Sequence, residues 1–396
     1  MPLSTTIRSR LWRFTLACAL LAALLVTLSI PAPNVAAALP APDVTATGVY
    51  AFDAGTGIEL FAKDEHERVS IGSTVKIVSA LVTVKHAELD DEVTIVQEDL
   101  VDTAVYSNMN LQAGDTLTIS QLLYGLMIPS GSDGANALAR YVGGIITGSD
   151  DPIAQYDGFI NEMNAFVAEH GFKDTRFSNP HGNDAPNNYS SAYDIAHLGA
   201  LLMEDEFLAS VVSEPGYSFT SVGPEARNYQ ASNTNALLGQ SGVVGIKTGS
   251  TEEAGGCVVL AREVNNGNSM VVSAVLGADL QYDASGGIAV DQRWDDASRL
   301  IAFTDATFMW LPLADATTFR NLPTELAVWN VQVEGNPYVP ITTGDDILTR
   351  YQLALNPDGG GSIDIYYDNN RVGSLPLQSG TASSGSDAAS AQDPAA

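Results

Sequence analysis

The chain has 396 residues, of which 45% are hydrophobic and 35 are glycine, a composition typical of a globular protein with room for more than one core. Its 47 acidic and 18 basic side chains give a formal net charge of −29 at pH 7, which makes nucleic acid and anionic lipid surfaces poor partners. The two cysteines, Cys18 and Cys257, are too few for a disulfide framework or a cysteine-rich metal site.

Residues 1–38 have the features of a secretory signal peptide. Three arginines precede an apolar stretch at 14–30, and Pro31 and the small residues at 35–38 follow it. This order predicts export and cleavage. The alternative is an uncleaved membrane anchor, because about 17 to 20 apolar residues can just span a bilayer. In either case we expect the rest of the chain to act outside the cytoplasm, with membrane attachment only if this segment is retained.

The first half of the remaining chain predicts a hairpin followed by helices. Apolar runs on either side of a glycine-containing turn predict strands at 48–53 and 58–61. The apolar series at 73–85 predicts a buried helix, although its β-branched residues also suit a strand. Helical periodicity is found in three further segments, at 119–142 with an interruption at 129–134, at 153–170 and at 192–204.

The second half predicts strands, a helix and a separate β-rich region. Strands are predicted at 243–248, 257–263 and 270–276, and a helix at 293–303. Early strands, central helices and late strands indicate an α+β domain over residues 39–312. Short β segments follow, and they predict a small all-β domain over 313–376, with strands at 327–331, 351–355 and 363–367. The Ser/Ala/Gly/Asp-rich residues 377–396 predict a disordered tail.

The first candidate for chemistry is the segment Ser73-Thr-Val-Lys76. Residues three apart share one face of a helix, so the Ser73 hydroxyl and the Lys76 amine can meet. A serine hydroxyl is a weak nucleophile at neutral pH and needs a base beside it. A lysine whose pKa is lowered by burial and cationic neighbours can be that base. Taken alone, the segment also fits an ordinary helix cap followed by a surface lysine.

Two further segments add polar groups. Ser130-Gly-Ser132 lies in the loop between helical segments, where a hydroxyl can relay a proton to a leaving amine. Lys247-Thr-Gly249 ends an apolar strand, where Lys247 and Thr248 can hold a substrate carboxylate. Gly249 leaves room there for a ligand against the strand edge. Each segment alone also fits an ordinary turn.

The three segments in this order, with the residues around them, resemble the low-molecular-mass penicillin-binding proteins that are D-alanyl-D-alanine carboxypeptidases of serine peptidase family S11. The resemblance covers about residues 44–310, and residues 311–376 loosely resemble the β-rich second domain of that family. The segments that carry it are Leu111-Gln-Ala-Gly-Asp115, residues 122–139, Phe177-Ser-Asn-Pro-His-Gly182, Tyr189-Ser-Ser-Ala-Tyr-Asp194, Ile246-Lys-Thr-Gly-Ser-Thr251 and Ala254-Gly-Gly-Cys257.

This resemblance implies a penicillin-binding/β-lactamase-like transpeptidase domain, an antiparallel sheet flanked by helices, and an acyl-enzyme reaction. Ser73 would be acylated by the penultimate D-alanine carbonyl, with Lys76 as general base and Ser130 as proton relay. The implied substrate is the D-Ala-D-Ala end of a peptidoglycan stem peptide, and β-lactam antibiotics are implied as covalent inhibitors. The family implies no cofactor and no metal.

The remaining roles implied by the resemblance concern substrate binding. Lys247 and Thr248 would bind the terminal carboxylate, and Arg293 is a further candidate for the same task. The backbone N–H groups of Ser73 and Ser250 would form the oxyanion hole, where negative charge develops during the reaction.

Two features depart from the family pattern. The family usually has asparagine where this chain has Ser132, and serine lacks an amide that both donates and accepts. We therefore expect altered substrate positioning rather than loss of activity. The C-terminal tail also has too few apolar residues for the membrane-surface helix found in many family members.

Three alternative interpretations remain open from the sequence. A β-lactamase would need a deacylating glutamate, for which Glu162 is a weak candidate on a predicted amphipathic helix. A catalytically weak or inactive cell-wall-binding module could keep the same fold, and the change at Ser132 leaves room for it. His181 could act as a catalytic imidazole, although it lies in a predicted turn.

Overall fold

The structure is a computed structural model that describes residues 40–223, 226–284, 286–313, 315–316, 319–333, 337–342, 349–356, 360–367 and 370–379. The predicted signal peptide at 1–38 and residues 380–396 of the predicted tail lie outside the described residues. No helix of the described part is long and apolar enough to cross a membrane.

The first half of the described chain contains the predicted hairpin and helices. In chain order, its elements are β1 (Gly48–Asp53), β2 (Glu59–Lys63), α1 (Lys76–His86), β3 (Glu92–Thr94), β4 (Thr116–Thr118), α2 (Ile119–Met127), α3 (Ser132–Thr147), α4 (Pro152–Glu169), α5 (Ala192–Glu204) and α6 (Glu206–Ser213). The ambiguous segment at 73–85 is helical, and a 3₁₀ turn at Gly72–Val75 leads into α1.

The second half contains the predicted strands and the closing helix. Its elements are β5 (Gly216–Thr220), β6 (Asn228–Ser232), β7 (Val243–Thr251), β8 (Gly255–Val264), β9 (Ser269–Ala278), β10 (Leu280–Tyr282), β11 (Ile288–Asp291), α7 (Arg293–Thr307), β12 (Phe308–Pro312), α8 (Leu322–Trp329), β13 (Val331–Val333), β14 (Tyr338–Thr342), β15 (Thr349–Leu355), β16 (Gly361–Tyr367) and β17 (Asn370–Ser379).

A five-stranded antiparallel sheet in the order β2-β1-β9-β8-β7 forms the centre of the molecule. One face packs against α5, and the other packs against α7. Successive residues of β8 therefore point into two different cores: Val259 and Ala261 into the helical core, Val258 and Leu260 into the opposite one. Burial on both faces explains why β8 is an almost continuous apolar run rather than an alternating one.

The C-terminal region is mostly β, but one of its predicted strands is a helix. The strand prediction at 327–331 is wrong for residues 327–329, because these belong to α8. Pro323 stands at the start of this helix and Leu322 is buried, while Asn330 ends it with a left-handed backbone (φ 50°). Strand β17 also continues to Ser379, so the first three residues of the predicted tail are paired in a sheet.

The C-terminal elements share a buried core with the central sheet. Strand β12 pairs with β14, across the boundary predicted at residue 312. Beside this pair, the Trp310 indole N–H donates to Asp53 Oδ2 at 2.8 Å. The other Asp53 oxygen accepts from the Thr56 N–H and hydroxyl. Asp53 is 1% exposed, and burial raises its pKa despite these hydrogen bonds.

We expect Trp310→Phe to lower the free energy of unfolding by about 2 kcal/mol, because it leaves a buried carboxylate without one of its donors. Urea denaturation of the purified protein measures the change. Trp329→Phe is the matched control, since Trp329 is 60% exposed, and we expect a change within about 0.5 kcal/mol. Equal stability of the two variants would contradict the assigned contact.

Candidate active site

Ser73 and Lys76 meet at the junction between the 3₁₀ turn and α1. The Ser73 Oγ lies 3.0 Å from the Lys76 Nζ, as the spacing of three residues predicts. The Lys76 side chain is fully buried, and its Nζ also lies 2.6 Å from the His181 carbonyl oxygen and 3.3 Å from the Ser132 Oγ. The amine is therefore held by three oxygens, one of which belongs to the candidate nucleophile.

The surroundings of Lys76 favour the neutral amine. Burial, and secondly the positive charge of Lys247, hold the pKa of Lys76 well below its usual value, while Asp133 opposes the shift. A neutral amine keeps N–H donors for the His181 carbonyl and the Ser132 hydroxyl and gains a lone pair. That lone pair can accept the Ser73 proton, so the position and the neutral form of Lys76 suit a general base.

The loop between α2 and α3 presents Ser130 with its hydroxyl uncommitted. Ser130 is 5% exposed and has a left-handed backbone (φ 65°), and its Oγ has no hydrogen-bond partner among the described residues. The Ser107 hydroxyl donates to the Ser130 carbonyl, and the buried Asp133 carboxylate accepts the Met109 N–H, which fixes the loop. A buried hydroxyl held without a partner is available to a substrate.

Strand β7 is an edge strand and carries Lys247 and Thr248. Lys247 is 1% exposed, and its Nζ donates to the Thr248 carbonyl at 3.1 Å. Burial, and secondly the charge of Arg293, lower the pKa of Lys247 to about 7. A buried cation with so few partners is suited to binding an anion.

Glycines let β7 closely approach residues 70–76, which carry Ser73 and are called the nucleophile segment below. A Cβ on Gly249 would lie 2.5 Å from the Ile71 carbonyl oxygen and 3.0 Å from the Ser73 nitrogen. A Cβ on Gly72 would lie 2.9 Å from the Ser250 nitrogen. Gly249 therefore makes room for the 3₁₀ turn, and its role in leaving room for a ligand stays a prediction. The Ser73 and Ser250 nitrogens therefore both lie where these two segments meet.

Arg293 and His181 are placed differently from the most direct sequence interpretation. The Arg293 guanidinium is buried, with Nε on Asp291 at 2.7 Å and Nη1 donating to the Gly249 carbonyl at 2.7 Å. It therefore supports β7 and acts on Lys247 through its charge; direct binding of a substrate carboxylate stays a prediction. His181 contributes its backbone carbonyl, and burial, with the Lys76 charge, lowers the pKa of its imidazole to about 3.

Sequence reasoning missed the residues that hold the His181 loop. The Asn179 side-chain oxygen accepts the Gly182 N–H at 2.8 Å and those of His181 and Asn183 at 3.3 and 3.2 Å.

Asp184 accepts from the Ser70 and Thr251 hydroxyls, which ties the nucleophile segment to β7. The sequence Asn179-Pro-His-Gly182 predicts a turn. That this turn directs the His181 carbonyl toward Lys76 depends on contacts between residues far apart in the sequence.

Among the described residues, no group of three or more His, Cys, Asp or Glu side chains could hold a metal ion.

A family model described as D-alanyl-D-alanine carboxypeptidase matches residues 35–280, more than half of the chain. The chain belongs to this family. Among curated carboxypeptidases, the D-alanyl-D-alanine carboxypeptidase of Streptomyces sp. (strain K15) is 36% identical over 241 residues, 59% of this chain and 81% of that protein. The carboxypeptidase DacF of Bacillus subtilis (strain 168) is 31% identical over 230 residues, 56% of this chain and 55% of that protein. The chain thus matches only about half the length of DacF.

Two solved structures are similar in fold to this chain. The crystal structure of the Streptomyces K15 DD-transpeptidase superposes with a TM-score of 0.59 at 33% identity, covering 66% of this chain and 97% of that one. Penicillin binding protein 6B from Escherichia coli gives a TM-score of 0.61 at 24% identity, covering 87% of this chain and 98% of that one, and is similar in fold alone. The predicted family and the predicted α+β fold with a β-rich C-terminal region are confirmed.

We expect Gly182→Ala to slow acylation of Ser73 by about ten- to a hundredfold, because displacement of the loop moves the carbonyl that holds Lys76. A Cβ on Gly182 would lie 2.0 Å from the Gly72 carbonyl oxygen, at φ 90°. Gly171→Ala is the matched control, with φ 79° and no atom within 4 Å of its Cβ. The control should cost only about 1 kcal/mol of stability from its backbone. Intact-mass kinetics with benzylpenicillin measures both variants, and equal acylation rates would contradict the assigned role.

The pH dependence of acylation should follow the two buried lysines. Lys76 must be neutral to accept a proton, and burial, which lowers its pKa, favours that form. Lys247 must be protonated to attract an anion, so the second-order rate constant for benzylpenicillin should fall above its pKa of about 7, by about tenfold per pH unit. Lys247→Arg keeps its charge and should lose this fall. A wild-type rate that is flat or rising above pH 8 would contradict it.

Proposed function

We propose that this chain is a serine-type D-alanyl-D-alanine carboxypeptidase that removes the terminal D-alanine from peptidoglycan stem pentapeptides through an acyl-enzyme on Ser73. The observation that carries the proposal is the buried Lys76 amine, 3.0 Å from the Ser73 hydroxyl, with its pKa held low. This pair is a nucleophile with its own base.

Acylation begins when the Ser73 oxygen attacks the carbonyl carbon of the penultimate D-alanine. The Ser73 proton passes to the Lys76 lone pair as the new C–O bond forms. The N–H groups of Ser73 and Ser250 stabilise the oxyanion of the tetrahedral intermediate. When the intermediate collapses, its C–N bond breaks. The Ser130 hydroxyl gives its proton to the leaving amine and takes one from the Lys76 ammonium. Terminal D-alanine then departs with a neutral amine.

Substrate orientation comes from the terminal carboxylate. Protonated Lys247 and the Thr248 hydroxyl bind it at β7, and Arg293 keeps the strand in place through the Gly249 carbonyl. Binding of an anion restores the charged form of a lysine whose pKa burial has lowered. A cavity of about 470 Å³ lined in part by Ser70 and Asp184 opens beside the nucleophile segment and has room for more of the peptide.

Deacylation completes the cycle. A water molecule attacks the ester carbonyl on Ser73, its proton passes to the neutral Lys76 amine, and the Ser73 oxygen takes a proton back as the C–O bond breaks. The shortened stem peptide is released. β-Lactams carry a carboxylate and a reactive amide in a similar arrangement, so they are expected to acylate Ser73 as inhibitors.

The β-lactamase alternative receives no support from the position of Glu162. Its carboxylate is paired with Lys85 at 3.0 Å and His86 at 2.8 Å on the outer side of α1 and α4, and these partners hold its pKa below the usual value. The non-catalytic alternative is disfavoured by the intact contact between Ser73 and Lys76. For Ser132, the structure adds a contact with Lys76, so it also helps to orient the base.

The place of action follows from the substrate. Peptidoglycan lies outside the cytoplasm, and the proposed signal peptide at 1–38 would deliver the chain there.

We expect wild-type protein to release D-alanine from a peptide ending in D-Ala-D-Ala and Ser73→Ala to release none above background. Benzylpenicillin should add one covalent adduct to the wild type and none to Ser73→Ala, measured by intact mass. Ser210→Ala on α6 is the control, because its hydroxyl donates only to a backbone carbonyl of its own helix. Rapid hydrolysis of penicillin with no trapped adduct would favour a β-lactamase, and a folded wild type without either activity would favour the binding module.

A further inference from the structure

Thr248, which stands where the substrate carboxylate is expected, has a second threonine beside it. The Thr248 Oγ1 lies 2.7 Å from the Thr234 Oγ1, within hydrogen-bond distance. Among the described residues, the Thr248 hydroxyl makes no other hydrogen bond. Thr248 is 7% exposed, whereas Thr234 is exposed. The two hydroxyls thus form a pair with one buried and one solvent-facing member.

Hydrogen bonds of Thr234 and of the residues on either side of it hold Thr234 in this position. It follows β6, and its N–H donates to the Ile128 carbonyl at the end of α2. The preceding Asn233 side chain donates to the Glu214 carbonyl at 3.0 Å, and the following Asn235 side chain accepts the Leu237 N–H at 3.1 Å. Anchors on both sides mean that the Thr234 hydroxyl is aimed at Thr248 by the fold.

The number of protons in the pair decides what each hydroxyl can do. A hydroxyl has one proton and two lone pairs, whereas a carboxylate can only accept. If Thr248 gives its proton to Thr234, it has none for a bound carboxylate. If Thr234 donates instead, the Thr248 proton is free to point into the cleft, and accepting a hydrogen bond makes Thr248 a stronger donor. A bound carboxylate therefore selects the arrangement in which Thr234 donates.

We propose that Thr234 is a positioning residue that donates its hydroxyl proton to Thr248 and so directs the Thr248 O–H at the free carboxylate of the substrate. The pair then sets the preference for a free C-terminal carboxylate over a neutral chain end. This inference rests on the proposed role of Lys247 and Thr248 in carboxylate binding. Thr234 acts through Thr248 and need not touch the substrate.

The test compares two acylating agents that differ in one charge, benzylpenicillin and its methyl ester. Thr234→Val keeps the side-chain shape and removes the proton, and it should slow acylation by benzylpenicillin about tenfold, the effect of a charge-assisted hydrogen bond. With the methyl ester, Thr234→Val should be acylated at the same rate as the wild type. Thr234→Ser restores the hydroxyl and should restore the rate. Thr220→Val, which removes an exposed hydroxyl bonded to Asn228 on the neighbouring hairpin, is the control and should change neither rate.

A double-mutant cycle separates action through Thr248 from a general disturbance. Once Thr248→Val has removed the second hydroxyl, adding Thr234→Val should cause no further loss with benzylpenicillin. Additive losses, an equal loss with the methyl ester, an undiminished rate in Thr234→Val, or failure of Thr234→Ser to recover would each overturn the inference. Penicillin acylation without D-alanine release would contradict the proposed carboxypeptidase function alone, because the comparison of acid and ester still decides the role of Thr234.

Discussion

The site depends on the complete burial of the Lys76 amine beside a second buried lysine. A charged ammonium in that position would lose most of its hydration, and Lys247 adds repulsion, so the proton is easily given up. The His181 carbonyl and the Ser132 hydroxyl then hold the neutral amine in one orientation, with its lone pair left for Ser73. The reactivity proposed for Ser73 therefore depends on the packing around Lys76.

That packing requires three backbone segments to come closer than side chains would allow. The 3₁₀ turn at Gly72–Val75 contacts β7 on one side and the Asn179–Gly182 loop on the other, and each contact has a glycine where a Cβ would collide. Asp184 ties two of these segments together through serine and threonine hydroxyls. These glycines thus allow close packing of the backbone.

The face of the central sheet that packs against α7 is also covered by strands of the C-terminal region. Buried residues of α7 and of the C-terminal strands belong to the same cluster as those of β1 and β8. The hydrogen bond between Trp310 and Asp53 crosses this region. The β-rich region therefore covers apolar surface of the central sheet, which gives it a structural role whatever else it binds.

The family and the fold class could be predicted from the sequence, because they depend on local spacing and on motifs contiguous in the chain. The same motifs predict Ser73 as nucleophile and Lys76 as its base, and the structure places the two side chains 3.0 Å apart. Strong periodicity likewise predicted α5 and the strands β7, β8 and β9 closely. It failed at residues 327–329, where β-branched and aromatic residues form a helix between Pro323 and Asn330. Three contacts are visible in the folded protein alone: Arg293 with Asp291 and β7, the His181 carbonyl with Lys76, and Thr234 with Thr248. These contacts join residues from separate elements, and their energies depend on burial and distance, which no local pattern records.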